Sequence, residues 1–270
     1  MSNPPLPEIR EADAPPHIAA IYADIKESAA LPQVNLIFRY LPTHPGALEW
    51  VWQTLKPLYT SRELADAAVT LMGAIERPGA SPLADVLNGD ERDACRTVLA
   101  SYNSGNPQNL LALTALVHLL ENPTISNKPV SELTPRPKAA ASQPATFPPL
   151  PRRDALAPHD LARIEKMASR HGGAPGVIPS MYLHLALWPQ ALDAVDTYLQ
   201  LIVESASWKP RVDAVRQAGN VSASRFAPAL RLAPDPPPRA TLDEVAGTIK
   251  TFVGATIPEL IVVGRLLAID

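Results

Sequence analysis

Apolar residues recur at steps of three and four along most of this chain, which is the period of an amphipathic helix. The clearest stripe consists of Ile18, Ile21, Tyr22 and Ile25. A less regular stripe runs between residues 64 and 72. No stretch alternates between apolar and polar residues for long enough to indicate a β-strand. The pattern therefore predicts an all-α fold.

Polar residues suggest where several of these helices begin. Three pairs have the spacing of a capping box: Thr60 with Glu63, Thr241 with Glu244, and Thr256 with Glu259. Ser81 and Asn106 each stand directly before a proline, and an N-cap followed by a proline in the first turn is a common helix start. The sequence thus predicts helices that begin at these five places.

Prolines are unusually frequent, with 31 in 270 residues, and they crowd the segment between Asn122 and Pro158. That segment has almost no apolar periodicity, and its prolines are too closely spaced for a helix. It predicts a long proline-rich linker over residues 122–158, with helical units at residues 1–121 and 159–270 on either side.

The two helical units resemble one another. Prolines ten residues apart bound a short apolar segment in each unit, Pro32 and Pro42 in the first and Pro179 and Pro189 in the second. Leu36 and Leu183 occupy the same place between them. Residues 103–106 correspond to residues 253–256 in this comparison. An internal duplication is the best explanation, and it predicts two pseudo-symmetric repeats with a ligand cavity between them.

Composition narrows the classes of function. The net charge is −3 and no Lys/Arg stripe is present, which argues against nucleic-acid binding. The N-terminal residues do not form a signal peptide, and no uninterrupted apolar run reaches about 18 residues, so we expect a cytoplasmic protein without a membrane span. Cys95 is the single cysteine, which excludes an internal disulfide. Without HExxH or a Cys/His cluster, we expect no metal site.

The stretch YNSGNPQNLL, residues 102–111, places several amides between two apolar runs. As a helix start, Gly105 would end one helix and Asn106 would cap the next. Alternatively, Asn103 and Asn106 hold a water or a carboxylate at a helix N-terminus. Spacing alone leaves both interpretations open.

Three segments together resemble the group I 2-haloacid dehalogenases, which act on both D- and L-2-haloalkanoic acids. They are VLASYNSGNPQNLLALTAL, LPQVNLIFRYLPTHPGAL and HGGAPGVIPSMYLHLALWP, and the similarity extends over most of the chain. The resemblance implies an all-α fold of two pseudo-symmetric repeats, without a metal or an organic cofactor. It also implies hydrolysis by a water that an aspartate activates, with displacement of halide and inversion at C2.

The resemblance assigns roles to individual positions. Asn106 corresponds to the asparagine that helps to hold the water, and Asn103 is a second candidate. Ser180 is retained, but Met181 occupies the position of the aspartate, and a thioether cannot accept a proton from water. Further candidate substrate contacts are Gln33 and Leu36, which fall where aromatic residues line the family pocket, together with Val34 and Tyr182.

His184 follows Ser180 by one helical turn and is a candidate replacement base, although a lone histidine among leucines is more often a core residue. Arg265 either binds a substrate carboxylate or complements the end of its helix. Three hypotheses follow: a hydrolase of small 2-substituted carboxylic acids, an inactive relative that binds a small apolar ligand between its repeats, or an enzyme of different chemistry on the same fold. The sequence also leaves a homodimer open.

Overall fold

The computed structural model describes residues 5–77, 79–122, 124–125, 133–137, 147–172 and 176–270. Its α-helices are α1 (Pro16–Ala29), α2 (Leu36–Tyr40), α3 (Ala47–Tyr59), α4 (Arg62–Gly73), α5 (Gly89–Glu121), α6 (Pro158–Ala168), α7 (Ser180–Leu185), α8 (Pro189–Val203), α9 (Trp208–Phe226), α10 (Arg239–Thr251) and α11 (Ile257–Leu267). A π turn, Phe252–Thr256, joins α10 to α11. Within the described residues the only strand-type pairing is an isolated bridge between Ser61 and Pro135, so the all-α prediction is confirmed.

Helix α5 forms the centre of the molecule. Every residue from 105 to 117 is buried, because α4, α9 and α11 pack around the helix on different sides. A helix that is buried all round loses the one-sided apolar stripe of a surface helix, which is why its periodicity is weak in the sequence. One cluster of buried apolar residues extends through both predicted repeats. The duplication itself remains a prediction.

The predicted helix start at Asn106 is wrong. Residues 102–111 lie inside α5, which runs unbroken from Gly89 to Glu121 with Pro107 in its interior. Pro107 lacks the N–H that would bond to the Asn103 carbonyl, and burial of the surrounding helix outweighs a cost of about 3 kcal/mol. Gly105 does not end a helix either. A Cβ there would lie 3.0 Å from Asn35 Oδ1, so this glycine allows α5 to approach the segment before α2.

All three predicted capping boxes are also wrong. Ser61 caps α4 instead of Thr60, and its hydroxyl accepts a hydrogen bond from Leu64 N. Thr241 lies inside α10, and Thr256 is the last residue of the π turn. The residues before each of them are therefore already helical, and neither side chain caps a helix. The residues after Ser81 form turns rather than a helix. The capping box that is present joins Asn88 and Glu91 at the start of α5.

Both short helices between paired prolines are present, as α2 and α7. The predicted linker is described only in part. Residues 133–137 lie along the junction of α3 and α4, where Arg62 N donates to Thr134 O and Arg136 N donates to Thr60 O. Residues 147–151 contact the N-terminal segment, since Arg10 donates to the carbonyls of Leu150 and Pro151. Residues 123, 126–132 and 138–146 of the predicted linker lie outside the described residues.

Helix α10, the π turn and α11 form one continuous helical stretch, Arg239–Leu267. By length and composition this stretch could cross a membrane, with a window of mean hydropathy 1.4, and it alone among the described residues meets those two criteria. However, 61% of that window is buried against the rest of the protein. A buried core helix has the same composition, so the stretch is weak evidence for a membrane span.

Cys95 is fully buried on α5, and burial raises the pKa of its thiol to about 12. A thiol with so high a pKa is not a nucleophile at neutral pH.

Candidate functional site

A small cavity of about 40 Å³ lies where α5, α7 and the π turn meet the start of α2. It is large enough for more than one water-sized group. Its walls consist of Asn35, Leu36, Ile37, Tyr102, Asn106, Asn109, Val177, Pro179, Ser180, Met181, Phe252, Thr256, Ile257 and Leu260. Four of the residues proposed from the sequence, Leu36, Asn106, Ser180 and Met181, therefore line one cavity.

Helix α7 contributes Ser180 and Met181 at its first two positions, after Pro179. The Met181 side chain is buried at the cavity wall. Among the described residues, no carboxylate, imidazole, ammonium or guanidinium group lines the cavity. Nor do the described residues contain a group of three or more His, Cys, Asp and Glu side chains that could hold a metal ion.

Helix α5 contributes a polar face to the same cavity. Tyr102, Asn106 and Asn109 are spaced at four and three residues, which aligns their side chains on one side of the helix. Asn35 Nδ2 donates to Asn106 Oδ1 at 3.3 Å, and Tyr59 Oη donates to Asn109 Oδ1 at 2.7 Å. These bonds hold the two α5 amides in fixed orientations.

A buried arginine supports Ser180 from behind. Arg39, on α2, is 2% exposed, and its Nη2 donates to Ser180 Oγ at 2.8 Å. Its Nη1 donates to the Val34 carbonyl, and its Nε donates to Glu8 at 2.5 Å. The guanidinium thus ties the N-terminal segment and α2 to the start of α7. Its charge is paired with Glu8 and does not line the cavity.

His184 lies behind Tyr102. Its Nε2–H donates to the Pro148 carbonyl at 3.1 Å, so its Nδ1 is the acceptor for Tyr102 Oη at 2.7 Å. Burial lowers the pKa of His184 to about 4, and burial likewise raises the pKa of Tyr102 well above its ordinary value. Both imidazole nitrogens are occupied, and Tyr102 lines the cavity whereas His184 does not.

Solved structures share this fold across nearly the whole chain. The chain matches a D-2-haloacid dehalogenase mutant with a TM-score of 0.79 at 15% identity, covering 99% of this chain and 96% of that one. It matches a complex of D-2-haloacid dehalogenase with L-LA with a TM-score of 0.75 at 18% identity, covering 99% and 97%.

No family model matches the sequence. The chain is, however, 27% identical over 209 residues to a configuration-inverting 2-haloacid dehalogenase from Alcaligenes xylosoxydans xylosoxydans. That alignment covers 72% of this chain and 69% of the relative. The chain is thus similar to 2-haloacid dehalogenases in sequence as well as in fold. The resemblance to 2-haloacid dehalogenases inferred from the sequence is therefore confirmed.

Two other residues proposed from the sequence, Asn103 and Arg265, do not line this cavity. Asn103 faces α11, where its Nδ2 donates to the Gly264 carbonyl at 2.9 Å. Arg265 donates from Nε to the Ile75 carbonyl. Both residues line an outer groove of about 970 Å³. Asn103 therefore joins α5 to α11, and Arg265 joins the segment after α4 to α11.

Gln33, Val34 and Tyr182 are buried close to the cavity but do not line it. Gln33 Nε2 donates to Ser101 Oγ at 3.4 Å, and Val34 N donates to Glu11 at 2.8 Å. Tyr182 Oη lies 2.5 Å from His171 Nε2, on the far side of α7. The side chain of Tyr182 is thus engaged elsewhere, although its neighbour Met181 faces the cavity.

The structure adds cavity residues that the sequence did not indicate, namely Asn35, Asn109, Tyr102 and Thr256, with Arg39 behind them. An arginine within the apolar run LIFRY was a usable signal, because a charged residue in such a run is rarely buried without partners. The amides and Thr256 gave no signal, since each fits an ordinary turn or cap pattern.

Burial of neutral His184 predicts a pH dependence of stability. The unfolded chain binds a proton near pH 6.5 and the folded chain near pH 4, so between these values the unfolded state holds more protons. Stability from this residue is complete above pH 6.5 and falls as the pH drops towards 4, by about 3 kcal/mol. Urea unfolding at several pH values measures this slope.

His184→Gln should flatten that slope between pH 6.5 and 4, because glutamine does not titrate. His17→Gln is the matched control, since His17 is exposed at the start of α1. A His184→Gln slope equal to that of the control would show that His184 titrates normally in the folded protein.

Proposed function

We propose that this protein is a non-hydrolytic member of the 2-haloacid dehalogenase family that binds a small molecule in the cavity between Asn106 and Met181. The observation that carries the proposal is the side chain of Met181 at the cavity wall. The resemblance assigns this position to the base that activates water, and a thioether has no basic site at neutral pH. Asn106, the partner position, is retained in the same cavity.

The cavity suits binding better than water activation. Its walls combine amide and hydroxyl groups with apolar side chains from α7, the π turn and α11. Ligand sites commonly have this composition, with a few polar groups that fix orientation within an apolar pocket. A relative in this family has been solved with L-LA and another, a mutant, with D-2-CPA. A small molecule with a comparable number of atoms is the natural class of ligand here.

A second candidate function is slow hydrolysis of 2-haloacids with a different base. Tyr102 favours it, because this residue both lines the cavity and bonds to His184. In that mechanism Tyr102 would pass a proton from the water to His184. However, the pKa of His184 is about 4, so its imidazole is a weak base, and the raised pKa of Tyr102 makes its phenol a weaker acid than usual. We therefore place binding first.

The test is to incubate the purified protein with each enantiomer of 2-chloropropionate and 2-bromopropionate and to measure halide. We expect no release above the uncatalysed background. Binding is measured in parallel by titration calorimetry with 2-chloropropionate and 2-chloropropionamide, and we expect saturable binding of at least one of them. Rapid halide release by the unmodified protein would overturn the proposal in favour of a hydrolase, and absence of binding would remove the ligand-binding role.

Leu36→Trp tests where the ligand binds, because the larger side chain should fill the cavity and abolish ligand binding. Val69→Trp is the control, since Val69 is 73% exposed and lies away from the cavity. Binding that survives Leu36→Trp would assign the ligand to another site, such as the outer groove.

A further inference from the structure

Thr256 differs from five other threonines on the helices. In an α-helix a threonine hydroxyl commonly donates to the carbonyl four residues earlier. That bond is made by Thr54, Thr70, Thr97, Thr197 and Thr251. Thr256 lies at the end of the π turn, where the Phe252 carbonyl accepts from Ile257 N instead. The Thr256 hydroxyl has no hydrogen-bond partner among the described residues, although the residue is only 3% exposed and lines the cavity.

The asparagines of the cavity also have unused hydrogen-bonding groups. In the bond between Asn35 and Asn106, one amide donates and the other accepts, so the pair leaves one NH2 group and one carbonyl oxygen free. The oxygen of Asn109 accepts from Tyr59, which leaves its NH2 group free as well. Neither Asn106 Nδ2 nor Asn109 Nδ2 donates a hydrogen bond within the described part of the chain. The cavity therefore offers both donors and an acceptor.

The charge of a ligand affects how well it could bind to these groups. A buried carboxylate needs a cation or several charge-assisted hydrogen bonds, and unpaired burial is costly. The described walls contain no cation, and the nearest guanidinium identified, on Arg39, is already bonded to Glu8, Val34 and Ser180. An uncharged carbonyl compound carries no such cost and uses the same donors.

We infer that the cavity selects an uncharged small carbonyl compound, such as a 2-substituted carboxamide, over the corresponding carboxylate, and that Thr256 is a ligand-contacting residue that sets this preference. A carboxamide oxygen accepts from the asparagine NH2 groups, and its own NH2 group donates to the free oxygens of the Asn35–Asn106 pair and of Thr256. This inference rests on the proposed binding function and adds the ligand class to it.

The experiment compares 2-chloropropionamide with 2-chloropropionate, which have nearly the same shape and differ in charge. Titration calorimetry of the unmodified protein should give at least about tenfold tighter binding of the amide. Thr256→Val removes the hydroxyl and keeps the shape, so it should weaken amide binding about tenfold. The same variant should have a higher melting temperature in the absence of ligand, because it no longer buries an unpaired hydroxyl.

Two further variants separate a ligand contact from a general structural effect. Thr256→Ser keeps the hydroxyl and should retain amide binding within about threefold of the unmodified protein. Thr251→Val removes an exposed hydroxyl on the same helical stretch that bonds to Gly247, and it should leave amide binding unchanged. A loss of binding in both valine variants would overturn the assignment of Thr256.

Failure of this inference is distinguishable from failure of the proposed function. Carboxylate binding equal to or tighter than amide binding would overturn the ligand class and leave the binding function in place. Amide binding that is unchanged in Thr256→Val would overturn the role of Thr256. If neither probe binds the unmodified protein, both the inference and the proposed function fail.

Discussion

The Met181→Asp variant should release halide from 2-chloropropionate at least about a hundredfold faster than the unmodified protein. A general base usually contributes between about a hundredfold and ten-thousandfold to the rate. The substitution returns a carboxylate to the position that the family resemblance assigns to it, and Asn106 lines the same cavity to hold the water. Inversion of configuration at C2 in the product would indicate direct displacement by water.

Met181→Asn is the matched control, because asparagine resembles aspartate in shape and cannot act as a base. Both variants place a polar group in a position where the methionine is 1% exposed, so both should be less stable than the unmodified protein. Chloride release by Met181→Asp alone would assign the activity to the carboxylate. A folded Met181→Asp protein without release would mean that the cavity has diverged in shape as well as in chemistry.

The second large effect is expected at Arg39, whose replacement by methionine should lower the free energy of unfolding by about 3 kcal/mol. The variant leaves the Glu8 carboxylate without its partner and removes the donors to the Val34 carbonyl and to Ser180. Since Arg39 joins the N-terminal segment, α2 and α7, the loss affects three parts of the fold. Urea unfolding at neutral pH measures the change.

Arg62→Met is the control for removing an arginine. Arg62 forms an exposed pair with Asp66 on α4, and such pairs contribute less than about 1 kcal/mol. If Arg39→Met were no more destabilising than Arg62→Met, then the buried guanidinium would not hold these elements together. If Arg39→Met had normal stability but altered ligand binding, the role of Arg39 would be limited to holding Ser180.

The all-α fold and the short helices α2 and α7 were predictable because they depend on local patterns. Apolar spacing and paired prolines act within a few residues, so the sequence displays them directly. Helix starts were harder to predict, as Asn106 shows. An asparagine before a proline resembles a helix start, but packing on every side of α5 keeps Pro107 inside a continuous helix. Tertiary burial outweighed a local signal that by itself was reasonable.

In the candidate site, too, some residues were predictable from the sequence and others were not. The resemblance indicated Leu36, Asn106, Ser180 and Met181, and the structure brings all four to one cavity. The spacing also suggested Asn103 as a partner of Asn106 in the site. Asn103 lies three residues before Asn106 on the same helix, and its side chain bonds to the backbone of α11 instead. Thr256 comes from a part of the chain 150 residues away from Asn106 in sequence, and its irregular π geometry leaves no mark in composition or periodicity.

The π turn also has a consequence for how the chain evolved. A proline directly follows Asn106, whereas Ile257 separates Thr256 from Pro258. If the two halves descend from one duplicated ancestor, a single inserted residue in the second copy accounts for both the displaced proline and the wider turn. Such an insertion rotates the following helix by about 100°. Two copies of one ancestral helix would thereby present different groups to a shared ligand, an amide from the first and a hydroxyl from the second.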